Sequence, residues 1–304
     1  MPAIIEIDRL RKSFGKYHII DDLVLSIEAG SVFGLVGMNG AGKTTLLRLL
    51  LGLLKPDAGT VRIGAHTPWN HASAFYQSSG VVLEHDGFWG NLTARENCAL
   101  YAAAKGVSPQ SLNRYLETWW NDSELFKGKK KVKHFSRGQR MQCALCRAFM
   151  GKPQYLFLDE PVIALDLNGY NHFKMLVNHA RERGAALIIS SHQLDTIDEL
   201  CERAGILQDG RITEISHRIH GAAEEWFIDA DINDTTTGLL VECGVNAVIC
   251  SDGYRFSLTD GKRLIPDIIR KLVLAGVLLR EVKRRDNDFS SIIQMYYSNN
   301  GRMR

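Results

Sequence analysis

The feature that most restricts the fold of this chain is a glycine-rich turn between a short apolar run and a leucine-rich segment. The turn fits the pattern G-x-x-x-x-G-K-[ST], with Gly37, Gly42, Lys43 and Thr44 at its fixed positions. Glycines let backbone N–H groups wrap closely around phosphate oxygens, and the N-terminus of a following helix favours negative charge. The flanking runs read as a buried strand and a helix, which is the context that this motif requires. We therefore expect a phosphate-binding loop rather than an ordinary glycine turn followed by a lysine.

The side chains at the end of this loop have separate predicted roles. Lys43 would neutralise the β- and γ-phosphates of a nucleotide, and the Thr44 hydroxyl would ligate Mg²⁺. ATP and Mg²⁺ are accordingly the expected cofactors. The loop residues predicted to contact the nucleotide are Gly37, Asn39, Gly40, Ala41, Gly42, Lys43, Thr44 and Thr45.

Composition limits the remaining possibilities. The chain has 304 residues and 45% hydrophobic content, enough for one large domain or a domain plus a smaller one. Its net charge of +3 is too small to indicate a nucleic-acid partner. Six scattered cysteines fit reduced thiols in the cytosol. The spacing of Cys143 and Cys146 within a predicted helix favours a packing role for them, rather than half of a zinc site. The N-terminus does not resemble a signal peptide, and no segment approaches the ~20 apolar residues of a membrane span.

Two further apolar runs end in groups suited to phosphate chemistry. Residues 155–158 are apolar and lead into Asp159 and Glu160, so a buried parallel strand would deliver two carboxylates to the edge where phosphate loops also lie. Asp159 would hold Mg²⁺ through its water shell, and Glu160 would orient or deprotonate the attacking water. A similar run ends in His192, which is able to donate to a γ-phosphate, although a structural role for a lone histidine is the alternative.

A second possible anion site lies at the start of a helix that ends near residue 150. Ser136 is a good N-cap, and Gly138 allows a ligand to approach the backbone. A helix predicted over residues 111–124 comes earlier in the chain. Between the two helices lie five lysines at residues 127–133, which read either as a solvated loop or as an anion-binding patch.

Aromatic residues at two places leave alternatives open. Phe14 and Tyr17 are rival candidates for stacking on a flat base, against ordinary packing on a strand. Phe88 and Trp89 lie on a glycine-bounded loop before a helix whose capping box is Thr93 and Glu96. They indicate either a protein contact or aromatic side chains buried beneath the loop.

Taken together, residues 3 to 214 resemble the ATP-binding cassette (ABC) ATPase family. The motifs that carry the resemblance, in order, are the phosphate loop, Phe135-Ser136-Arg137-Gly138-Gln139, Asp159-Glu160-Pro161, Ala164-Leu165-Asp166 and Ser191-His192. The resemblance implies that Ser136, Gly138 and Gln139 contact the γ-phosphate held by the opposite cassette of a head-to-tail dimer. It also implies that Asp166 lies at the interface between the cassettes and that Phe14 stacks on the adenine better than Tyr17.

Some positions depart from the family pattern. Glu84 stands where most relatives have a glutamine, which is similar to the variant of bacitracin and lantibiotic exporters. Its carboxylate keeps the metal-facing acceptor role and loses the amide donor. Arg137 replaces a usual glycine, and residues 162–164 replace the more common Thr-x-Gly.

We predict an α/β fold with two domains. Residues 1–216 form the cassette, with a parallel sheet core and antiparallel β and helical subdomains. Residues 217–304 form a smaller α+β domain whose pattern predicts the order βαββαβ, typical of a ferredoxin-like domain, followed by a closing helix over residues 288–297.

The resemblance implies an ATP-hydrolysing subunit of an exporter, working as a homo- or heterodimer of cassettes with an integral membrane permease on a separate chain. It would be cytoplasmic, peripheral on the membrane through the permease, with no direct nucleic-acid contact. The alternatives are an ATPase subunit of an importer and a soluble ABC ATPase acting on the ribosome or on nucleic acid.

Overall fold

The computed structural model describes residues 3–70, 72–83, 87–121, 123–216, 224–250, 253–258, 261–285 and 293. The chain divides into two compact units, Met1–Ile215 and Ser216–Arg304. The predicted residue Glu84 lies outside the described residues, and so does the predicted closing helix apart from residue 293.

The larger part of the chain, up to residue 216, alternates strands and helices. Its strands are β1 (Ala3–Phe14), β2 (Tyr17–Glu28), β3 (Val32–Val36), β4 (Ala58–Ile63), β5 (Ser79–Val82), β6 (Tyr155–Asp159), β7 (Ala186–Ser190), β8 (Arg203–Gln208) and β9 (Arg211–Ser216). Its helices are α1 (Lys43–Leu50), α2 (Ala72–Ser78), α3 (Ala94–Ala104), α4 (Pro109–Trp119), α5 (Glu124–Lys127), α6 (Arg137–Phe149), α7 (Leu167–Glu182) and α8 (Leu194–Leu200).

Two sheets organise this unit. The larger has the strand order β5-β6-β7-β3-β8-β9, and β5, β6, β7, β3 and β8 pair in parallel. Every residue of β3, β6 and β7 is buried, as expected for strands covered on both faces. The smaller sheet has the order β2-β1-β4, and both neighbouring pairs are antiparallel. The expected cassette architecture is confirmed.

The parallel arrangement explains why distant motifs meet. The carboxyl ends of parallel strands lie at the same edge of a sheet, and ligands bind in the crevice beyond them. β3 leads into the phosphate loop, β6 ends at Asp159, and β7 ends at Ser190 just before His192. Because β7 lies between β6 and β3, three segments far apart in sequence reach one crevice.

One predicted helix is shorter than the sequence indicates. The helix expected over residues 111–124 is α4, which begins at Pro109 behind the N-cap Ser108 and ends at Trp119. Trp120 leaves the helical conformation, with φ −132° and ψ 16°, and its ring stacks on His172 at 4.3 Å and meets Phe126 edge-on at 5.3 Å. The aromatic contacts outweigh the local helical preference, so the predicted extension to Glu124 is wrong.

The C-terminal unit contains β10 (Glu224–Ala230), α9 (Asp234–Glu242), β11 (Val248–Ile249), β12 (Gly253–Leu258), α10 (Gly261–Leu274) and β13 (Leu279–Arg285). Its sheet has the order β11-β12-β10-β13 with antiparallel neighbours. Each helix therefore connects two strands that enclose a third between them, which is the split βαβ arrangement of ferredoxin-like units. Its core includes Ile228, Leu240, Tyr254 and Leu272, all fully buried.

Candidate active site

The phosphate loop connects β3 to α1 through backbone that requires glycine. Gly42 is the N-cap of α1 and has φ 103°, in the left-handed region that side chains rarely adopt. A Cβ at this position would lie 2.8 Å from Cγ2 of Ile19, so both the conformation and the space exclude a larger residue. Within the described residues, no side chain caps the first turn of α1. Its N–H groups are therefore available to an anion.

Lys43 is the first residue of α1 and is almost completely buried. Its Nζ donates to the carbonyl oxygen of Gly37 at 2.6 Å and approaches the carbonyl of Met38 at 3.4 Å. The ammonium group is thus held at the mouth of its own loop by backbone oxygens. Phosphate oxygens would compete for the same donor, as the predicted role requires.

Two predicted magnesium ligands meet although 115 residues separate them in the sequence. The Thr44 hydroxyl donates to Oδ2 of Asp159 at 2.7 Å, and Asp159 is 5% exposed. Hydroxyl and carboxylate oxygens are hard donors of the type that Mg²⁺ prefers, with waters and phosphate oxygens completing its shell. The donor set present therefore fits the cation.

Ser190 hydrogen-bonds to both acidic residues, although its sequence context predicts no such role. Its hydroxyl donates to Oδ1 of Asp159 and accepts from the backbone N–H of Glu160 at 3.0 Å. Its carbonyl oxygen also accepts from the same N–H at 3.2 Å. Ser190 is fully buried. The only signal in the sequence was its position, directly after an apolar run and two residues before His192.

Glu160 has an unusual backbone conformation, with φ 48°. Non-glycine residues in this region cost of order 1–3 kcal/mol and persist where the surroundings fix them, which happens often at functional sites. Here the bonds to Ser190 fix the backbone, and Oε2 of Glu160 lies 2.9 Å from Nδ1 of His192. The predicted base and the predicted histidine are therefore neighbours.

These groups line one cleft of about 740 Å³. Phe14 lines it and is half exposed, whereas the rival Tyr17 does not line it and is 76% exposed. The lining residues that were predicted to contact the nucleotide, the metal or the attacking water are Phe14, Asn39, Gly40, Ala41, Gly42, Lys43, Thr44, Thr45, Asp159, Glu160 and His192. The cleft unites a phosphate loop, a metal-ligating pair, a candidate base and one aromatic ring.

The other predicted nucleotide contacts lie outside this cleft. Ser136, Gly138, Gln139 and Asp166 line a second cavity of about 590 Å³, and none of them lines the first. A Cβ at Gly138 would lie 2.5 Å from the carbonyl oxygen of Ala164, so only glycine allows this approach. One chain therefore presents its predicted nucleotide contacts in two separate cavities.

Side chains of the second cavity make well-defined local contacts. Ser136 and Gln139 form a capping box, in which the Ser136 hydroxyl accepts from the Gln139 N–H and Gln139 Oε1 accepts from the Ser136 N–H. Lys130 also donates to Gln139 Oε1 at 3.2 Å. Asp166 is the N-cap of α7 and accepts from the Gly169 N–H at 2.7 Å.

The two aromatic residues of the loop before α3 differ in their exposure. Trp89 is 61% exposed, whereas Phe88 is half-buried, with its ring centroid 4.6 Å from the Arg147 guanidinium. The same guanidinium lies 5.5 Å from the ring of Tyr101, and burial raises the pKa of that phenol. Thr93 and Glu96 form the predicted capping box of α3 behind the loop.

Comparison with known proteins identifies this arrangement. The family model described as ABC transporter matches residues 20–163. The bacitracin transport ATP-binding protein BcrA of Bacillus licheniformis is 35% identical over 216 residues, which cover 70% of each chain. The chain belongs to the ABC transporter family. This ABC protein is accordingly an ATP-binding ATPase, with the family's phosphate loop and acidic residues in one cleft.

Other relatives extend this result. A bacitracin transport ATP-binding protein of Enterococcus faecalis is 29% identical and covers 98% of this ABC protein and 96% of its own length. The Nod factor export ATP-binding protein I of Paraburkholderia xenovorans is 31% identical over 69% of both chains.

Solved structures agree on the fold. An ATP-binding subunit of an ABC transporter has a TM-score of 0.67 and 25% identity, covering 70% of this ABC protein and 90% of that chain. A dimeric cassette in a post-hydrolysis state with ADP and Pi has a TM-score of 0.62 and 21% identity, covering 70% and 99%. Among the described residues, no helix combines the length and the apolar character needed to cross a membrane.

Proposed function

We propose that this chain is the ATP-binding subunit of an exporter, in which two cassettes pair head to tail and drive a separate membrane permease. The observation that carries the proposal is the division of nucleotide contacts between two cavities. The phosphate loop and the acids line the first, and Ser136, Gly138 and Gln139 line the second. A nucleotide bound in the first cavity would therefore leave the second set of predicted contacts unused in a single chain.

A two-fold arrangement removes this difficulty. In a symmetric pair, surface i of one subunit meets surface j of the other and the reverse holds equally. The second cavity of each cassette would then face the first cavity of its partner, completing two nucleotide sites at once. The partner cassette is a second copy of this chain or a related one.

The first cavity supplies the groups needed for hydrolysis. A water oxygen would bond to the γ-phosphorus while the bond from that phosphorus to the β,γ-bridging oxygen breaks, giving ADP and phosphate. Glu160 would orient the water and take its proton, and His192 and Lys43 would stabilise charge on the γ-phosphate. Thr44 and Asp159 would hold Mg²⁺, which neutralises phosphate charge when bound, and Glu84 remains a proposed third contact.

Export through a permease is supported by the relatives and by one surface loop. Of the three relatives described above, two are named for bacitracin transport and one for Nod factor export. Trp89 is exposed on its loop, and the adjacent Phe88 packs on Arg147 of α6. A force on this loop would reach α6, whose first residues line the second cavity. We therefore place the permease contact at this loop and the protein on the cytoplasmic face of the membrane.

The test is affinity capture of tagged Glu160→Gln protein from detergent-solubilised native membranes in the presence of ATP. This variant keeps the nucleotide contacts and lacks the base, so it should hold the closed dimer together. We expect a multi-span membrane protein to co-purify in stoichiometric amount, with Trp89→Ala in the same background as the variant that loses it. Capture of ribosomal proteins or DNA without a membrane protein would exclude the exporter function and leave the ATPase activity standing.

A further inference from the structure

Helix α6 borders both cavities with different faces. Gly138, Gln139 and Gln142 line the second cavity. The residues of α6 that line the first cavity, the cleft of the chain's own phosphate loop, are Arg137, Arg140, Met141 and Ala144. These four have the spacing i, i+3, i+4, i+7, which places them on one face of a helix. Helix α6 therefore borders both the nucleotide cleft of its own chain and the cavity proposed to complete the partner's nucleotide site.

The face toward the first cavity carries two guanidinium groups. Arg137 is exposed and Arg140 is half-buried, and they lie one turn apart. Among the residues that the structure describes, the other charged or titratable side chains lining this cleft are Lys43, Asp159, Glu160 and His192. A planar guanidinium binds phosphate through two parallel N–H donors, which makes arginine the side chain best suited to recognise a polyphosphate.

We propose that Arg137 and Arg140 bind the phosphate groups of the nucleotide held by the phosphate loop of the same chain. The inference rests on the ATP site proposed above and adds a contact made within one subunit. Arg137 is the first residue of α6 and lines the first cavity, whereas its neighbours Ser136 and Gly138 line the second.

These two arginines would contribute to nucleotide affinity even when no partner cassette is bound. Residues of the second cavity act on a nucleotide only when two cassettes meet, but Arg137 and Arg140 act in the isolated subunit. Their contribution should concern the phosphates and leave the nucleoside unaffected. It should also weaken as the salt concentration rises, because Arg137 is exposed.

The test is titration of the isolated, full-length subunit with MgATP and, separately, with adenosine, at concentrations where sedimentation shows a monomer. We expect Arg137→Gln to weaken MgATP binding about tenfold, the loss of one charge-assisted hydrogen bond at the lower end of its range. Arg140→Gln should act in the same direction, and Arg137→Lys should recover only part of the affinity, because it keeps the charge but loses the planar pair of donors. Adenosine binding should change less than twofold in all three.

Lys129→Ala is the matched control, because it also removes one exposed positive charge close to α6 but lines neither cavity. Its MgATP affinity should stay within twofold of the parent. Equal affinities of the Arg137→Gln and Lys129→Ala subunits for MgATP would overturn the inference. An equal loss for ATP and adenosine in Arg137→Gln would also overturn it, since the effect would then lie in the shape of the cleft. Failure of the unmodified subunit to bind MgATP would instead count against the proposed function.

Discussion

The two helices that begin beside the two cavities differ in how their first turns are satisfied. At α1 the N-cap is Gly42, and within the described residues no side chain bonds to the N–H groups of that turn. At α6 the N-cap is Ser136, whose hydroxyl accepts from the third residue of the helix in a capping box. One helix start is left open for a ligand, and the other is partly closed by its own side chains.

From this difference we expect the first cavity to bind the nucleotide and the second cavity to complete the nucleotide site of the partner cassette. An uncapped helix start with a buried lysine offers several donors to phosphate without breaking any existing bond to a side chain. The start of α6 has already satisfied the N–H of Gln139, so a ligand gains mainly from the two preceding N–H groups. We therefore expect the first cavity to determine the affinity of the subunit for nucleotide, and the second to determine the assembly of the cassette dimer.

The largest effect should come from the base in the first cavity. Glu160→Gln preserves the size of the side chain and the backbone bonds to Ser190, but it removes the carboxylate. ATP hydrolysis should fall by about 100-fold or more, while the MgATP affinity of the isolated subunit stays within about threefold, because neutral glutamine still accepts a hydrogen bond. Single-turnover hydrolysis and a binding titration measure the two quantities. Glu117→Gln, on the exposed side of α4, is the control, and near-normal turnover in Glu160→Gln would remove Glu160 from this role.

The next effect concerns affinity. Lys43→Ala removes the ammonium group that Gly37 and Met38 hold at the loop mouth. MgATP affinity should fall roughly 10- to 100-fold, as expected for charge-assisted hydrogen bonds worth about 1.5–3 kcal/mol. The exposed Lys55→Ala is the matched control. Unchanged nucleotide affinity in Lys43→Ala would refute the assignment of the first cavity as the anchoring site.

A smaller effect should come from the aromatic ring at the cleft. Base stacking on an aromatic side chain is worth about 1–3 kcal/mol, so Phe14→Ala should weaken binding of MgATP by about tenfold. Tyr17→Ala is a natural control, because Tyr17 is an exposed aromatic residue that pairs with Phe14 across the β1–β2 hairpin and does not line the cleft. Titration of both variants with a fluorescent nucleotide shows which ring stacks on the base. A larger loss of affinity in Tyr17→Ala than in Phe14→Ala would assign the stacking to Tyr17.

The smallest effect on affinity should come from the second cavity. Ser136→Ala removes the cap of α6, which should lower the free energy of unfolding by about 0.5–2 kcal/mol. In the isolated subunit its MgATP affinity should stay within about twofold of the parent, because Ser136 does not line the cleft that holds the nucleotide. Denaturant unfolding and nucleotide titration give the two values. A loss of affinity as large as that of Lys43→Ala would abolish the distinction between the two cavities.

The sequence alone determined the elements whose signals are local. Glycines at fixed spacing, an apolar run before two acids, and a Ser with a Gln three residues later each depend on backbone geometry within a few residues. The phosphate loop, the strand ending at Asp159 and the capped start of α6 were therefore predictable. The same reasoning failed for the helix expected to reach Glu124, where Trp120 leaves the helix to pack on His172, a residue far along the chain.

Only the tertiary structure decided which of these groups meet. The order β6-β7-β3 places Thr44 against Asp159 and brings Ser190 between the two acids, and neither contact follows from spacing along the chain. The division of α6 between two cavities also depends on packing around the whole helix. Local hydrogen bonds and conformational preferences act over a few residues, whereas contacts between strands and helices depend on how the complete core is filled.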